Sequence, residues 1–481
     1  MLFRHIGNFS PSTIVPALTS FAAVYIFTRM LSPSEYGKYS LVTTLALFAQ
    51  YAFFYWLPVS ASRFIPLAKQ QGKLRQLSST LYTGFAGCAA IFLVISGISI
   101  YLAPVAVETR GLLWLGMLFC CMKSLIMLNL AFHRDAMHAR RYNFIECGQA
   151  LIALGLGVVF INISDLNAGG ILLGLLGAAF LVLLVDMRFI ATLIKRSINR
   201  DQFTTMLAYG LPVSAGFILN GLLALSDRLL IEFYLGSAEL GMYSVASTVM
   251  DRTLMISFIF VSMVAFPMAV RQLEERGPDA AKSQMYRNGT ALLALTVPVC
   301  AGLILVTPQL VTVMLGPQYR DQAVEIMPWI AIATVLAGLQ VHYFDHAFHL
   351  GRRTHWLLLS LGPSILLKVG LNIILLPRIG LMGAAYATVA GYLMSLCGSV
   401  YFGRRAFSFP FPFSQAFRVV AATLPMIIIL RLLDFDSTMA GLATMVFMGA
   451  VIYAGCAFIV DVAGIRTFLF NQQQTVSGGM Q

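Results

Sequence analysis

Apolar residues in this chain gather into long runs, separated by short clusters of charged and turn-forming residues. A run of about 20 apolar residues is the length of a helix that crosses the hydrocarbon core of a bilayer. Fourteen such runs stand out, at 7–30, 39–64, 80–103, 111–132, 146–164, 170–190, 206–234, 241–269, 289–315, 324–350, 355–376, 380–402, 414–432 and 439–461. The fifth and sixth are parted only by Asn162-Ile-Ser-Asp-Leu-Asn-Ala-Gly-Gly. The pattern predicts an all-α polytopic membrane protein of about fourteen transmembrane helices. The first run flows straight into a structured turn and is longer than a signal-peptide core, so it reads as an uncleaved span.

The polar positions between the runs give an orientation. Basic residues concentrate in alternate loops: Lys69, Lys73 and Arg75; Arg134, Arg140 and Arg141; Lys195, Arg196 and Arg200. The same set continues with Arg271, Arg276, Lys282 and Arg287, then Arg352 and Arg353, then Arg404 and Arg405. The other loops hold only Lys38, Arg110, Arg320, Arg378 and Arg431, with Arg29 at the edge. The positive-inside rule places the rich set in the cytoplasm. Both termini then lie inside, as an even number of spans requires. The outer loops are too short to house a globular catalytic domain, so whatever the protein does takes place within the helix bundle.

One turn occurs twice. Leu31-Ser-Pro-Ser-Glu35-Tyr-Gly37-Lys-Tyr39-Ser40 aligns with Leu235-Gly-Ser-Ala-Glu239-Leu-Gly241-Met-Tyr243-Ser244 at constant offset, matching at Leu, Glu, Gly, Tyr and Ser. These turns join spans one to two and seven to eight. Six spans separate them, an even number, so the halves share one orientation and form a parallel repeat. The expected organisation is an N-terminal six-helix lobe (1–195), a cytoplasmic linker (196–205), a C-terminal six-helix lobe (206–405), and two extra helices with a cytoplasmic tail (406–481).

Composition supports the membrane reading. Of 481 residues, 59% are hydrophobic and 11% charged, with mean hydropathy +0.82, against roughly 25% charged in a soluble domain. The net charge of +12 would fit nucleic acid, but the basic residues sit in short clusters at span ends, which membrane anchoring explains better. The seven cysteines fall mostly inside apolar runs without a CxxC pair and read as buried hydrophobes. No phosphate loop, nucleophile elbow, HExxH or dinucleotide turn occurs, and no cofactor is called for.

At LSPSEYGKYS, at Arg63 in ASRFIPL and at SDRLLIEFYLGSAELGMYSVAS the chain resembles the polysaccharide transporter family of the multidrug/oligosaccharidyl-lipid/polysaccharide flippase superfamily. HLGRRTHW is similar to a cytoplasmic turn of that family, and the stretch from Asn372 to Thr388 to its eleventh-to-twelfth hairpin. The resemblance spans essentially the whole chain. It implies a flippase of the bacterial cytoplasmic membrane that moves undecaprenyl-pyrophosphate-linked oligosaccharide to the outer leaflet by alternating access, for O-antigen, capsule or exopolysaccharide synthesis. Partners implied are membrane lipids and polysaccharide polymerase and export machinery. The His-rich turn after span ten departs from the family pattern.

Such a substrate needs cations for its pyrophosphate. Arg228, Lys123, Arg252 and Lys368 lie several residues from a helix end, where charged side chains usually face a bundle interior or aqueous cavity. With Arg63 they are the candidate pyrophosphate-binding residues. The competing reading is structural charge neutralised across helices; adjacent residues such as Asp227 and Arg228 do not face each other. Asp227, Asp251 and Asp345 are the candidate ion-coupling acids, with burial raising and a neighbouring Arg lowering the pKa of each. Arg29 suits gating or head-group anchoring. His342, Asp345, His346 and His349 recur at helical spacing along one face. That face reads as a polar surface at the cytoplasmic mouth rather than a metal site. Pro58 and Pro212 are candidate hinges, or simply packing kinks. The Gly170–Gly174 pair permits close helix contact.

Two rivals remain at this stage. A lipid II flippase or multidrug exporter of the same superfamily is the nearer one, although an exporter of organic cations calls for acidic rather than basic depth. A membrane polysaccharide polymerase or ligase is the more distant one, since such enzymes carry a substantial outer loop.

Overall fold

The computed structural model describes residues 11–104, 106–135, 138–164, 166–193, 199–464 and 466. Lys195, Arg196, the start of the expected linker and most of the expected tail lie outside them. The described residues contain no strand, and helix accounts for 91%. Thirteen helices are long and apolar enough to cross a membrane, and a bent pair makes fourteen spans, as the run pattern predicts. Many large side chains on them stay exposed, among them Leu366, Phe417 and Phe447. Lipid is their solvent, so they need no protein neighbour.

The first unit comprises residues Met1–Ser244. Its helices are α1 (Pro11–Met30), α2 (Pro33–Phe53), α3 (Trp56–Gln70), α4 (Leu74–Leu102), α5 (Val107–Asp135), α6 (Ala139–Ser164), α7 (Asn167–Leu193) and α8 (Arg200–Leu235). The opening turns of α9 (Ser237–Arg276) complete it. Helix α2 starts where Ser32 accepts from the Glu35 amide at 3.4 Å and Pro33 occupies the first turn, a pairing that satisfies orphan donors and presets the backbone. The second span is not one helix: α2 and α3 meet at a 46° bend. Pro58, which has no amide hydrogen to give to the preceding turn, follows the break by a few residues. Pro212, by contrast, lies inside continuous α8.

Helix α8 packs along α2 and α3. Ser60 Oγ donates to the Met206 carbonyl at 2.8 Å, and a Cβ on Gly210 would press on the Trp56 carbonyl at 2.7 Å. The core beneath is aromatic and aliphatic, with Phe54, Trp56, Leu57, Leu77, Leu81, Leu128 and Phe132 buried together. Helices α6 and α7 approach closely because Gly174 lies over the Gly157 backbone, the use expected of small residues in membranes.

The second unit, Val245–Gln481, holds the rest of α9, then α10 (Pro278–Leu305), α11 (Thr307–Met314), α12 (Arg320–Leu339) and α13 (His346–Leu350). It continues with α14 (Trp356–Ile379), α15 (Leu381–Ala406), α16 (Phe413–Leu432) and α17 (Met439–Ile459). Several helices extend past the apolar runs. Arg271–Arg276 of α9, for example, stays helical beyond the run that ends near 269. A π turn over Gln340–Phe344 joins α12 to α13. Helices α16 and α17 dock on α10 through Leu293, Val419, Ala422 and Ala457.

Candidate functional site

The buried charges were assigned by depth alone, and the structure sorts them by surroundings. On α8, Asp227 is 3% exposed and accepts a hydrogen bond from the Tyr243 hydroxyl at 3.2 Å. Arg228 points elsewhere: one guanidinium nitrogen donates to the Ala224 carbonyl at 3.1 Å. Its Nε is buried without a partner among the described residues. One turn on, Glu232 accepts from Ser237 Oγ at 2.6 Å, while its other oxygen is buried and unpartnered. Lys123 of α5 donates to Gln149 Oε1 at 2.7 Å. Arg63 is exposed on α3, and Arg29 is folded over the Tyr25 ring at 3.7 Å while donating to its carbonyl.

In the second unit, Asp251 accepts from the Thr334 hydroxyl. Arg252 is exposed beside it. Lys368 is 1% exposed, its stem held against Gly391 and its ammonium 5.3 Å from the Tyr392 ring centre. Its stem is packed between α14 and α15.

The three histidines stay together, and Asp345 parts from them. His342 stacks on Phe258 and pairs with Ser262 at 3.0 Å, and His346 stacks on Phe266 at 4.2 Å. His349 meets Phe266 edge-on. These three face α9. Asp345 instead turns to α15, accepting from Ser399 at 2.7 Å and from Gln340 at 3.4 Å. The expectation of one shared face fails because the π turn inserts an extra residue, which rotates Asp345 away. Among the described residues no group of His, Cys, Asp or Glu could hold a metal ion.

Depth reasoning missed a buried network. Asp186 of α7, 1% exposed, accepts from Asn129 at 3.0 Å and from His133 at 3.1 Å, and pairs with Arg141 at 2.8 Å. Asn129 in turn accepts from the Tyr82 hydroxyl at 2.7 Å, and His133 and Arg141 both lie on the Phe189 ring. Four helices, α4 to α7, are tied at one carboxylate. The signal in the sequence was a lone acid in LVLLVDMRF facing an Asn129/His133 pair one helical turn apart.

Close by lies a cavity of about 350 Å³ among α3, α5, α6 and α8. Its lining includes Tyr55, Ser62, Arg134, Tyr142, Glu146 and Phe217. Arg134 donates to the Ser62 hydroxyl and approaches Asp135 at 3.7 Å. Glu146 is half-buried and has no hydrogen bond or ion pair among the described residues. None of the five residues expected to bind pyrophosphate lines it. In the second unit a cavity of about 330 Å³ among α9, α10, α16 and α17 is lined almost wholly by aliphatic side chains, with Thr253 and Tyr453 at its wall.

Helices wrapped around buried charges and a polar cavity define a polytopic membrane protein with the fold of flippases and transporters. The lipid II flippase MurJ, in an inward closed conformation, superposes with a TM-score of 0.75 at 15% identity, over 94% of this chain and 98% of that one. Inward- and outward-facing structures of multidrug resistance MATE family transporters of the MOP superfamily give TM-scores of 0.60 and 0.59 at 14% and 15% identity. They match over 84% of this chain, and over 94% and 95% of theirs. No curated protein sequence matches significantly. The chain belongs to the polysaccharide biosynthesis protein family, whose model matches residues 26–324.

Proposed function

We propose that this protein is a flippase that carries polyprenyl-pyrophosphate-linked oligosaccharide repeat units across the bacterial cytoplasmic membrane by alternating access, with both termini in the cytoplasm. The observation that carries the reading is the pairing of a polysaccharide biosynthesis family with a flippase fold. A charged cavity set among membrane helices is the feature such a cargo demands. The glycan headgroup is too polar to cross lipid unaided, and buried cations and hydroxyls replace its water. We read the protein as a transporter rather than an enzyme, with O-antigen, capsule or exopolysaccharide as the product line and Arg228, Lys123, Arg252 and Arg63 as phosphate contacts during the cycle. The lobes that move would be 1–195 and 206–405, joined through 196–205.

Deletion in the host tests this. Lipid-linked repeat units are expected to accumulate on the cytoplasmic leaflet while surface polymer falls; unchanged surface polymer in a strain lacking any redundant transporter refutes it. The match to MurJ over nearly its whole length favours one second reading, a lipid II flippase. Rescue of a strain depleted of lipid II flipping would select that reading instead.

A further inference from the structure

We propose that the cavity among α3, α5, α6 and α8 holds the sugar end of the cargo and excludes its pyrophosphate. The inference rests on the flippase reading and specifies which part of the cargo this site takes.

Charge decides first. The cavity presents one cation, Arg134, and one anion, Glu146. The Arg134 charge is offset by Asp135 at 3.7 Å and by Glu146 on the same wall, so the lining carries no net positive charge, while the guanidinium keeps N–H groups beyond the one given to Ser62. A pyrophosphate entering here would meet a second, unpartnered carboxylate in a poorly screened setting, where like charges repel strongly. Glu146 accepts hydrogen bonds and offers none. It therefore suits a ligand rich in donors. Sugar hydroxyls supply those donors and also accept from Arg134.

The remaining wall is apolar and part of it is aromatic: Tyr55, Tyr142 and Phe217 stand among aliphatic side chains such as Val59, Leu130 and Val213. Tyr55 and Phe217 have ring centres 4.3 Å apart, and Tyr142 adds a second phenol to the lining. Rings that pair an apolar face with a polar handle suit a ligand that is itself two-sided, and a sugar ring has C–H faces and a hydroxyl rim. The volume of about 350 Å³ lies at the small end of ligand sites. It accommodates one or two rings of a longer repeat unit, with the lipid and phosphates outside.

The test is saturation-transfer difference NMR on the full chain in lipid nanodiscs, a method that reads weak binding. The probes are methyl glycosides of neutral hexoses and N-acetylhexosamines, with inorganic pyrophosphate as competitor. Transfer to ring C–H protons of at least one sugar is expected, undiminished by pyrophosphate. Glu146→Gln and Phe217→Leu should each cut the signal at least threefold. Should either variant lose its monodisperse elution, Tyr142→Phe carries the same expectation. Absence of transfer to every sugar, displacement by pyrophosphate, or wild-type signal in well-folded variants overturns the assignment. The flippase reading fails separately: sugar binding that depends on Glu146 in a protein whose deletion leaves surface polymer intact would keep the site and discard the transport.

Discussion

Ser40 and Ser244 share a hydrogen bond of 2.7 Å between buried hydroxyls, and they occupy the same position in the two copies of the repeated turn. The glycines at the seventh position of each turn pack reciprocally. A Cβ on Gly37 would overlap the Ser237 carbonyl, and a Cβ on Gly241 would overlap the Pro33 carbonyl. Residue for residue the contact is its own mirror under exchange of the copies, as a local two-fold requires. The duplicated motif is therefore a contact between its own copies, and its glycines are there for close approach of backbone.

Symmetry makes the consequence specific. Gly37→Ala and Gly241→Ala should destabilise by similar amounts, about 1–3 kcal/mol each by overpacking. Ser40→Ala should cost about 1 kcal/mol through one lost hydrogen bond. Thermal unfolding of the purified protein, followed by size-exclusion fluorescence, measures all three. A large difference between the two glycine variants would contradict the reciprocal packing.

At Asp186 the partners are unequal. The carboxylate is 1% exposed, whereas the Arg141 side chain is 38% exposed. Asp186→Ala strands His133, Asn129 and Arg141 around an empty site and should cost about 3–5 kcal/mol. Arg141→Ala leaves the carboxylate two donors but removes its guanidinium partner, so the loss should be smaller, about 2 kcal/mol. The same unfolding assay ranks them, and an Arg141 variant as unstable as Asp186→Ala would show that the ion pair, not the hydrogen bonds, holds the network.

The spans were legible because lipid rewards uninterrupted apolar length, a property of sequence alone. The repeated turn was legible as a motif, yet its self-contact was not, since nothing in one strip of sequence says what it touches. Charge depth singled out Lys368 as a candidate for phosphate binding, and depth alone could not show that its stem packs against Gly391 on the neighbouring helix. Arg134 and Arg141 read as membrane anchors because they sit near span ends. Their partners Ser62 and Asp186 are remote in sequence, Ser62 by 72 positions, and emerge only on folding. Asp345 was grouped with the three histidines because the reading assumed a 3.6-residue register that the π turn over Gln340–Phe344 breaks.

The orientation proposed from the loops can be tested directly. In a variant freed of native cysteines, Gln71→Cys and Asp279→Cys should be shielded from an impermeant maleimide in intact cells, and Val107→Cys and Ser437→Cys should react. All four positions are exposed, so shielding would report membrane side and not burial. Labelling of Gln71→Cys from outside would invert the proposed topology.

Arg228 gives the sharpest functional test among the deep cations. Among the described residues its guanidinium makes one hydrogen bond, to the carbonyl a turn earlier, and its Nε is buried and unpartnered. It forms no ion pair with Glu232 although the two are four residues apart on α8, and its repeat-related position carries Val24. An Arg kept at that depth without a carboxylate is poorly explained by stability, because an unpaired buried donor costs free energy. It is well explained by an anionic cargo that supplies the missing acceptors during transport. Arg228→Ala should therefore abolish most surface polymer in the deletion strain while leaving protein level and unfolding temperature near wild type. Arg228→Lys, which keeps the charge and loses the bidentate fork, should restore part of it. Full transport by Arg228→Ala would remove Arg228 from the cargo path.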